Sequence, residues 1–272
     1  MAPPLAAVLL GVFLTAAIGV AQTPTPDQLA RHVQDRDSGR DSRAAMRMKL
    51  YDRQGRVRER ALAVTTLRGR GAPGVPASAP PGDRLLTRFT YPNDIRGTGF
   101  LVWEHPQGDD ERFLYLPSLG RVRRIAGSEA QESFVGSDFS YEDIGGREFD
   151  DYTYALADGN ASWASPQGPR PAYRLESRRK DRSVEFPRVV SLVLKDSFVV
   201  VQADVYNRRN EKQKVYTVKR LDQIQGIWTV LESVMTNDLD RTRTELVVEK
   251  IAYNTGLTEA AFSRRELEGA AK

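Results

Sequence analysis

The amino-acid sequence predicts a mainly β protein of the α+β kind, in which an antiparallel sheet curls toward a barrel. Seven strand-length runs, separated by short polar turns, follow one another from residue 152 to residue 251. Five further runs lie between residues 44 and 116, and an amphipathic helical pattern precedes them. Strands joined by short turns pair antiparallel, and a long series of such strands is typical of a sheet that curls or closes.

The N-terminal segment predicts export from the cytoplasm. Residues 1–21 hold a long apolar core and end in small residues before the polar Gln22. This order is typical of a secretory signal peptide, and the core is short for a membrane-spanning helix. We expect cleavage after Ala21, with an uncleaved anchor as the alternative, and a periplasmic chain of residues 22–272 that folds as a single domain.

The composition narrows the class of protein. The chain has no cysteine, so an exported form has no disulfide and no cysteine for lipid attachment, and its core alone must stabilise it. Hydrophobic residues make up 40% and charged residues 28%, which is the usual balance of a globular domain. The 40 basic and 36 acidic side chains leave a net charge of +4, too mild to indicate a nucleic-acid partner.

The first element is an amphipathic helix within Thr23–Asp37. Thr25 is a suitable N-cap, and Pro26 stands at the first helical position. Leu29 and Val33 form an apolar stripe at i, i+4 on a helix that is otherwise polar. Because such a helix is marginal in water by itself, we expect it to lie on the sheet.

A hairpin and a loop follow this helix. Residues 44–50 alternate apolar and charged side chains, and a polar turn with a glycine leads to the next run, Val57–Leu67. Residues 68–83 are rich in Pro, Gly and Ala and poor in large apolar side chains. We predict that they form a flexible loop insertion without a chemical role.

The central strands carry the main functional indication. Three runs, residues 85–91, 99–103 and 113–116, are rich in aromatic and branched residues. The second and third runs show no polar alternation, so both faces of these strands are apolar. A sheet with one face in water should alternate. We therefore expect helices or a ligand to cover the second face.

Two groups of charged residues follow the central strands. Three arginines come first: Arg121, Arg123 and Arg124. They form either a docking patch for an acidic partner or lipid head groups, or the solvated face of a strand. Five acidic residues come next: Asp138, Glu142, Asp143, Asp150 and Asp151. They lack the ligand spacing of a calcium loop, so we predict no metal site and expect a short helical turn capped by Ser137 or Asp138.

Four stretches carry a family resemblance: YPNDIRG at residues 91–97, LYLP at 114–117, SFVGSDFSYED at 133–143 and ESVMTN at 232–237. In this order they resemble the outer-membrane lipoprotein-sorting proteins, the LolA-like family. The resemblance is dense over residues 85–145 and looser over residues 172–268. It implies an incomplete antiparallel β-barrel, short helices over the concave face of the sheet, and an apolar cavity between the helices and the sheet.

The resemblance also implies a function. Such a protein is a periplasmic carrier, without cofactor or enzymatic activity, that binds acyl chains of a lipoprotein or lipid for transfer toward the outer membrane. The alternative is a non-enzymatic accessory subunit of an inner-membrane efflux-type (RND/MMPL-like) transporter, which is also a candidate partner of a carrier. A hydrolase with an unrecognised site is a third class, but the chain has no GxSxG, HExxH or P-loop motif. We expect a monomer.

Large rings on the predicted strands are the candidates to line the cavity. They are Phe100, Trp103, Phe113, Tyr115 and Trp228. Their alternative role is plain sheet core, because the strand face that points inward cannot be identified from the sequence. Burial would drive binding, since each acyl methylene taken from water contributes about 0.8 kcal/mol.

Overall fold

A computed structural model describes residues 23–72 and 74–269, and these residues form one thirteen-stranded antiparallel sheet with three short α-helices. The helices are α1 (Pro26–Asp35), α2 (Tyr141–Gly145) and α3 (Arg264–Glu268). The strands are β1 (Asp41–Tyr51), β2 (Val57–Leu67), β3 (Arg84–Tyr91), β4 (Gly99–Trp103), β5 (Glu111–Leu116), β6 (Arg121–Ile125), β7 (Tyr152–Ser165), β8 (Gly168–Arg179), β9 (Arg188–Leu194), β10 (Val200–Tyr206), β11 (Lys212–Ile224), β12 (Ile227–Asn237) and β13 (Thr242–Tyr253).

The order of strands in the sheet explains its shape. It runs β6-β5-β4-β3-β2-β1-β13-β12-β11-β10-β9-β8-β7, so β6 and β7 stand at opposite edges although they are consecutive in the chain. Their connection, residues 126–151, must therefore cross one face of the whole sheet. We call residues 126–151 the crossing segment. It contains α2 and three 3-10 turns.

The sheet is curled but not closed, which confirms the predicted incomplete β-barrel with short helices over its concave face. Within residues 23–72 and 74–269, β6 and β7 do not pair with each other. The predicted second strand and the run 99–103 agree residue for residue with β2 and β4. Local pattern, either alternation or an uninterrupted apolar run, therefore located these two strands well.

Both faces of β4 and β5 are covered by protein, as their uninterrupted apolar pattern predicts. On one face, Phe100 and Leu114 pack against Phe134 of the crossing segment. On the other face, Leu101 and Tyr115 belong to a cluster with the C-terminal turn and α3. The cover predicted for the second face is thus the chain's own C-terminal region.

The helix α1 follows its capping signal. Gln28 donates its backbone N–H to Thr25 Oγ1 at 3.2 Å, and the Gln28 side-chain oxygen accepts from the Thr25 backbone N–H at 2.9 Å. This reciprocal capping box satisfies two donors that the first turn would otherwise leave free. Leu29 is fully buried and Val33 half-buried, so the predicted stripe faces the sheet.

The predicted cap of the helical turn in the crossing segment was wrong. Ser140, rather than Ser137 or Asp138, caps α2: its hydroxyl accepts from the Asp143 backbone N–H at 3.1 Å. Asp138 instead accepts hydrogen bonds from the hydroxyls of Thr242 and Thr244 on β13, the latter at 2.7 Å. Asp138 therefore fastens the crossing segment to the middle of the sheet.

Residues 68–83 form no helix or strand in their described part. Their base is fixed, because Arg68 pairs with Asp83 at 2.9 Å and the Gly69 N–H donates to the Asp83 carboxylate at 2.7 Å. The flexibility of the tip stays a prediction. The proposed signal peptide, residues 1–21, lies outside the described residues. Within the described ranges, every helix is too short or too polar to cross a bilayer.

Candidate functional site: a cavity on the concave face

A cavity of about 520 Å³ lies between α1, the crossing segment and strands β7 to β13. Ala30 and Val33 of α1 form part of one wall. Leu175, Val205 and Met235, on three different strands, form part of the opposite wall. The site is therefore a space between a helix and a sheet, with aliphatic side chains on both sides.

The curl of the sheet creates this cavity. Tyr152 lies on β7 and Leu246 on β13, six positions apart in the strand order, and both line the same space. In a flat sheet, strands six positions apart would be about 29 Å from each other. That separation far exceeds the width of a cavity of about 520 Å³. The sheet must therefore wrap around it.

One side of the cavity carries paired charges from the crossing segment. Arg147 binds Asp143 at 2.7 Å, and Arg179 on β8 binds Glu142 at 2.6 Å. Burial opposes the charged form of Asp143. The charge of Arg147 and hydrogen bonds from Ser140 nevertheless hold the pKa of Asp143 below its ordinary value. These charges neutralise one another, which keeps this wall compatible with an apolar ligand.

Hydrogen bonds complete this polar wall. The Tyr152 hydroxyl donates to Glu142 at 3.3 Å, and burial raises the pKa of Tyr152 to about 12. The amide of Gln131 donates to Glu142 at 3.2 Å. Within the described residues, no three His, Asp or Glu side chains converge as metal ligands would. The acidic residues near the cavity thus bind arginines and hydroxyl groups.

Arg36 contributes a different kind of charge. It follows the last turn of α1, and it lines the cavity. Its Nη1 donates to the backbone carbonyl of Trp228 at 3.4 Å. Burial lowers the pKa of Arg36 from its ordinary value. Tyr216 on β11 lines the same cavity, and burial raises its pKa.

The four predicted ring residues on β4 and β5 lie outside this cavity. Phe100 packs on Phe134, with ring centroids 5.5 Å apart. Trp103 donates its indole N–H to the carbonyl of Phe262 at 2.7 Å and packs 5.3 Å from Phe113. Tyr115 is buried in the same cluster as Phe113. A role of these rings in ligand binding stays a prediction.

The fifth ring, Trp228 on β12, is half-buried. The guanidinium of Arg170 lies over it, 4.5 Å from the ring centroid. Its backbone carbonyl accepts from the cavity residue Arg36. Trp228 is thus connected to the cavity through its main chain, and a contact of its ring with a ligand also stays a prediction.

The three predicted docking arginines, Arg121, Arg123 and Arg124, lie on the edge strand β6, and all are exposed. Arg123 pairs with Glu129 at 2.7 Å. An edge strand with several charged side chains resists pairing with other strands, so protection of this edge is an alternative role of the three arginines. Their docking role stays a prediction.

Sequence reasoning did not identify the residues that line the cavity, although part of their signal was present. The stripe on α1 and the alternation of Val199, Ala203 and Val205 both indicated burial. The paired charges at Glu142 and Asp143 gave no comparable signal, because their arginine partners are remote in sequence or belong to the next turn.

A curled, open antiparallel sheet whose concave face is covered by short helices is a LolA-like fold. More particularly, residues 82–269 match a family model described as "Uncharacterized protein", and the chain belongs to this family. No curated protein matches the chain.

Several solved structures are similar to this chain over most of its length. A protein described as an outer membrane lipoprotein-sorting protein domain, from Vibrio parahaemolyticus, is 28% identical with a TM-score of 0.77, covering 89% of this chain and 98% of that one. A DUF1329 family protein from Desulfovibrio piger is also 28% identical, with a TM-score of 0.76 and coverage of 89% and 97%. A LolA superfamily protein from Nitrosomonas europaea shares the fold at 16% identity, with a TM-score of 0.65 and coverage of 88% and 98%.

Proposed function

We propose that the protein is a periplasmic, non-enzymatic carrier that binds acyl chains of a lipoprotein or lipid in the concave cavity and transfers them toward the outer membrane. The observation that carries this proposal is the cavity of about 520 Å³ with aliphatic walls on a LolA-like fold. Its volume lies in the usual range of about 300–1,000 Å³ for ligand pockets. Export through residues 1–21 and a monomeric state belong to the same proposal.

The physical basis of carriage is burial of methylene groups. Each acyl methylene removed from water contributes about 0.8 kcal/mol, so a chain of about ten carbons supplies on the order of 8 kcal/mol before the costs of binding. The walls at Val33, Leu175 and Val205 offer apolar contacts to such a chain. No directional hydrogen bond is needed, which suits a carrier that must release its cargo.

Filling the cavity tests the proposal. Ala203 lines the cavity on β10, so the side chain introduced by Ala203→Trp should occupy the space of an acyl chain. Native mass spectrometry of wild-type protein, isolated gently from the periplasm, should detect lipid as an added mass. We expect Ala203→Trp to lack that mass while its circular dichroism spectrum stays native.

Ala63→Trp is the matched control, because Ala63 is exposed on β2 and its replacement should leave lipid binding unchanged. Wild-type protein that never carries lipid would refute the carrier proposal. The second candidate, an accessory subunit of an inner-membrane efflux-type transporter, would then be preferred. The exposed arginines on β6 are the observation that favours this candidate.

A further inference from the structure

Within the described part of the chain, Arg36 lacks an acidic partner, unlike Arg147, which also lines the cavity, and the nearby Arg179. Arg147 and Arg179 each bind a carboxylate at 2.7 Å or less. Among the described residues, no Asp or Glu forms an ion pair with Arg36, and its guanidinium donates to the Trp228 carbonyl. A guanidinium has five N–H donors and stays charged in proteins. Most of these donors therefore have no protein partner among the described residues.

The charged neighbours of Arg36 already have other partners. Asp37, the next residue, accepts a hydrogen bond from the Gly39 backbone N–H at 2.9 Å. Arg68 pairs with Asp83 at 2.9 Å. The positive charge of Arg68 opposes the positive charge of Arg36, and the negative charge of Asp37 favours it. The cavity thus contains a half-buried cation that its charged neighbours compensate only in part.

Such a cation is stabilised when an anion binds it. A buried charge without a partner destabilises a folded protein, whereas a guanidinium that binds a carboxylate or phosphate forms strong paired hydrogen bonds. Arg36 lines the same space as the aliphatic side chains of Val33 and Val230. One ligand could therefore contact the charge and the apolar wall together.

We propose that Arg36 binds the anionic headgroup of an amphiphile whose acyl chain lies along the apolar wall of the cavity. The headgroup is a carboxylate or a phosphate monoester, since both offer the paired oxygens that a guanidinium binds. This inference rests on the proposed carrier function and deepens it: the cargo is an anionic amphiphile rather than a neutral one.

Matched ligands with and without the charge test the inference. Isothermal titration calorimetry of delipidated protein would compare decanoate, decyl phosphate and uncharged 1-decanol, with acetate and inorganic phosphate as headgroups alone. We expect the wild type to bind at least one charged amphiphile about tenfold or more tightly than decanol, the ratio that about 1.4 kcal/mol produces. The headgroups alone should bind far more weakly.

Three variants complete the test. Arg36→Gln should lose the preference for the charged amphiphile while keeping its affinity for decanol. Arg36→Lys should keep part of the preference. Arg96→Gln, which removes an exposed arginine outside the cavity, should bind as the wild type does. Thermal unfolding without ligand should not be lowered in Arg36→Gln, because a residue with a purely structural role would lower it.

Each of the other outcomes would contradict either the headgroup site or the carrier function. Equal affinity of the wild type for charged and uncharged amphiphiles, or a preference that survives in Arg36→Gln, overturns the headgroup site and leaves the carrier function standing. Headgroups that bind as tightly as the amphiphiles overturn it too, in favour of a simple ion site. Absence of binding by every amphiphile overturns the carrier function itself.

Discussion

Glu104 is a half-buried side chain that lies near two other carboxylates, those of Asp83 and Asp110. Burial, together with the negative charges of Asp83 and Asp110, raises its pKa to about 8 from an ordinary value of 4.5. Between about pH 4.5 and pH 8, Glu104 is therefore protonated in the folded chain and ionised in the unfolded chain. Stability from this group is present below about pH 4.5 and is lost as the pH rises to about 8.

Replacing Glu104 tests this linkage. Glu104→Gln should flatten the fall of unfolding free energy between pH 5 and pH 8, which for one proton is at most about 1.4 kcal/mol per pH unit. Urea unfolding at several pH values measures it. Glu132→Gln is the control, because Glu132 is exposed on the crossing segment. An unchanged pH profile in Glu104→Gln would mean that Glu104 is charged in the folded protein.

At the level of single elements, we predict a flexible tip above the fixed base of the loop of residues 68–83. Replacing residues 71–79 by a short Gly/Ser linker should change the unfolding free energy by less than about 1 kcal/mol, because loop-closure entropy varies slowly with length. Gly82→Ala should be much more damaging, since its new methyl carbon would lie 2.2 Å from the Glu104 carbonyl oxygen. Thermal unfolding compares the two, and equal losses would contradict this division.

The strands and the site differ in how far the sequence predicts them. A strand is specified by alternation or by an apolar run of suitable length, so β2 and β4 were located from local pattern alone. The cavity depends on which face of the sheet becomes concave, and that is decided by the path of the crossing segment between β6 and β7. Phe100 and Leu101 have equally apolar patterns, yet they face opposite layers.

The residue that caps α2 could not be predicted from the local sequence either. Ser137, Asp138 and Ser140 all have side chains that cap helices well. Ser140 caps the turn, because Asp138 is occupied by two threonines of β13 that are more than a hundred positions later in the chain. A contact so remote in sequence leaves no local pattern from which it could be predicted.

For the whole molecule, the crossing segment joins the two edges of the sheet and covers the cavity, so its attachment to β13 should govern both stability and cargo binding. Thr244 is fully buried and donates to Asp138 at 2.7 Å, and the Asp138 backbone N–H donates to the same hydroxyl at 3.0 Å. The ammonium of Lys214 donates to the Asp138 carbonyl at 3.1 Å. Phe139, the next residue, lines the cavity.

Removing the carboxylate of Asp138 should therefore have two effects. Asp138→Ala deletes two hydrogen bonds to the carboxylate and leaves the buried Thr244 hydroxyl without this acceptor, so we expect a loss of roughly 2–4 kcal/mol in urea unfolding. Glu129 lies on the crossing segment and forms an exposed pair with Arg123 of β6, so Glu129→Ala should cost less than about 1 kcal/mol. Because the crossing segment forms one wall of the cavity, Asp138→Ala should also retain less lipid in native mass spectrometry, whereas Glu129→Ala should retain as much as the wild type. If both variants keep wild-type stability and lipid, the segment is held by its aromatic contacts with the sheet and not by this carboxylate.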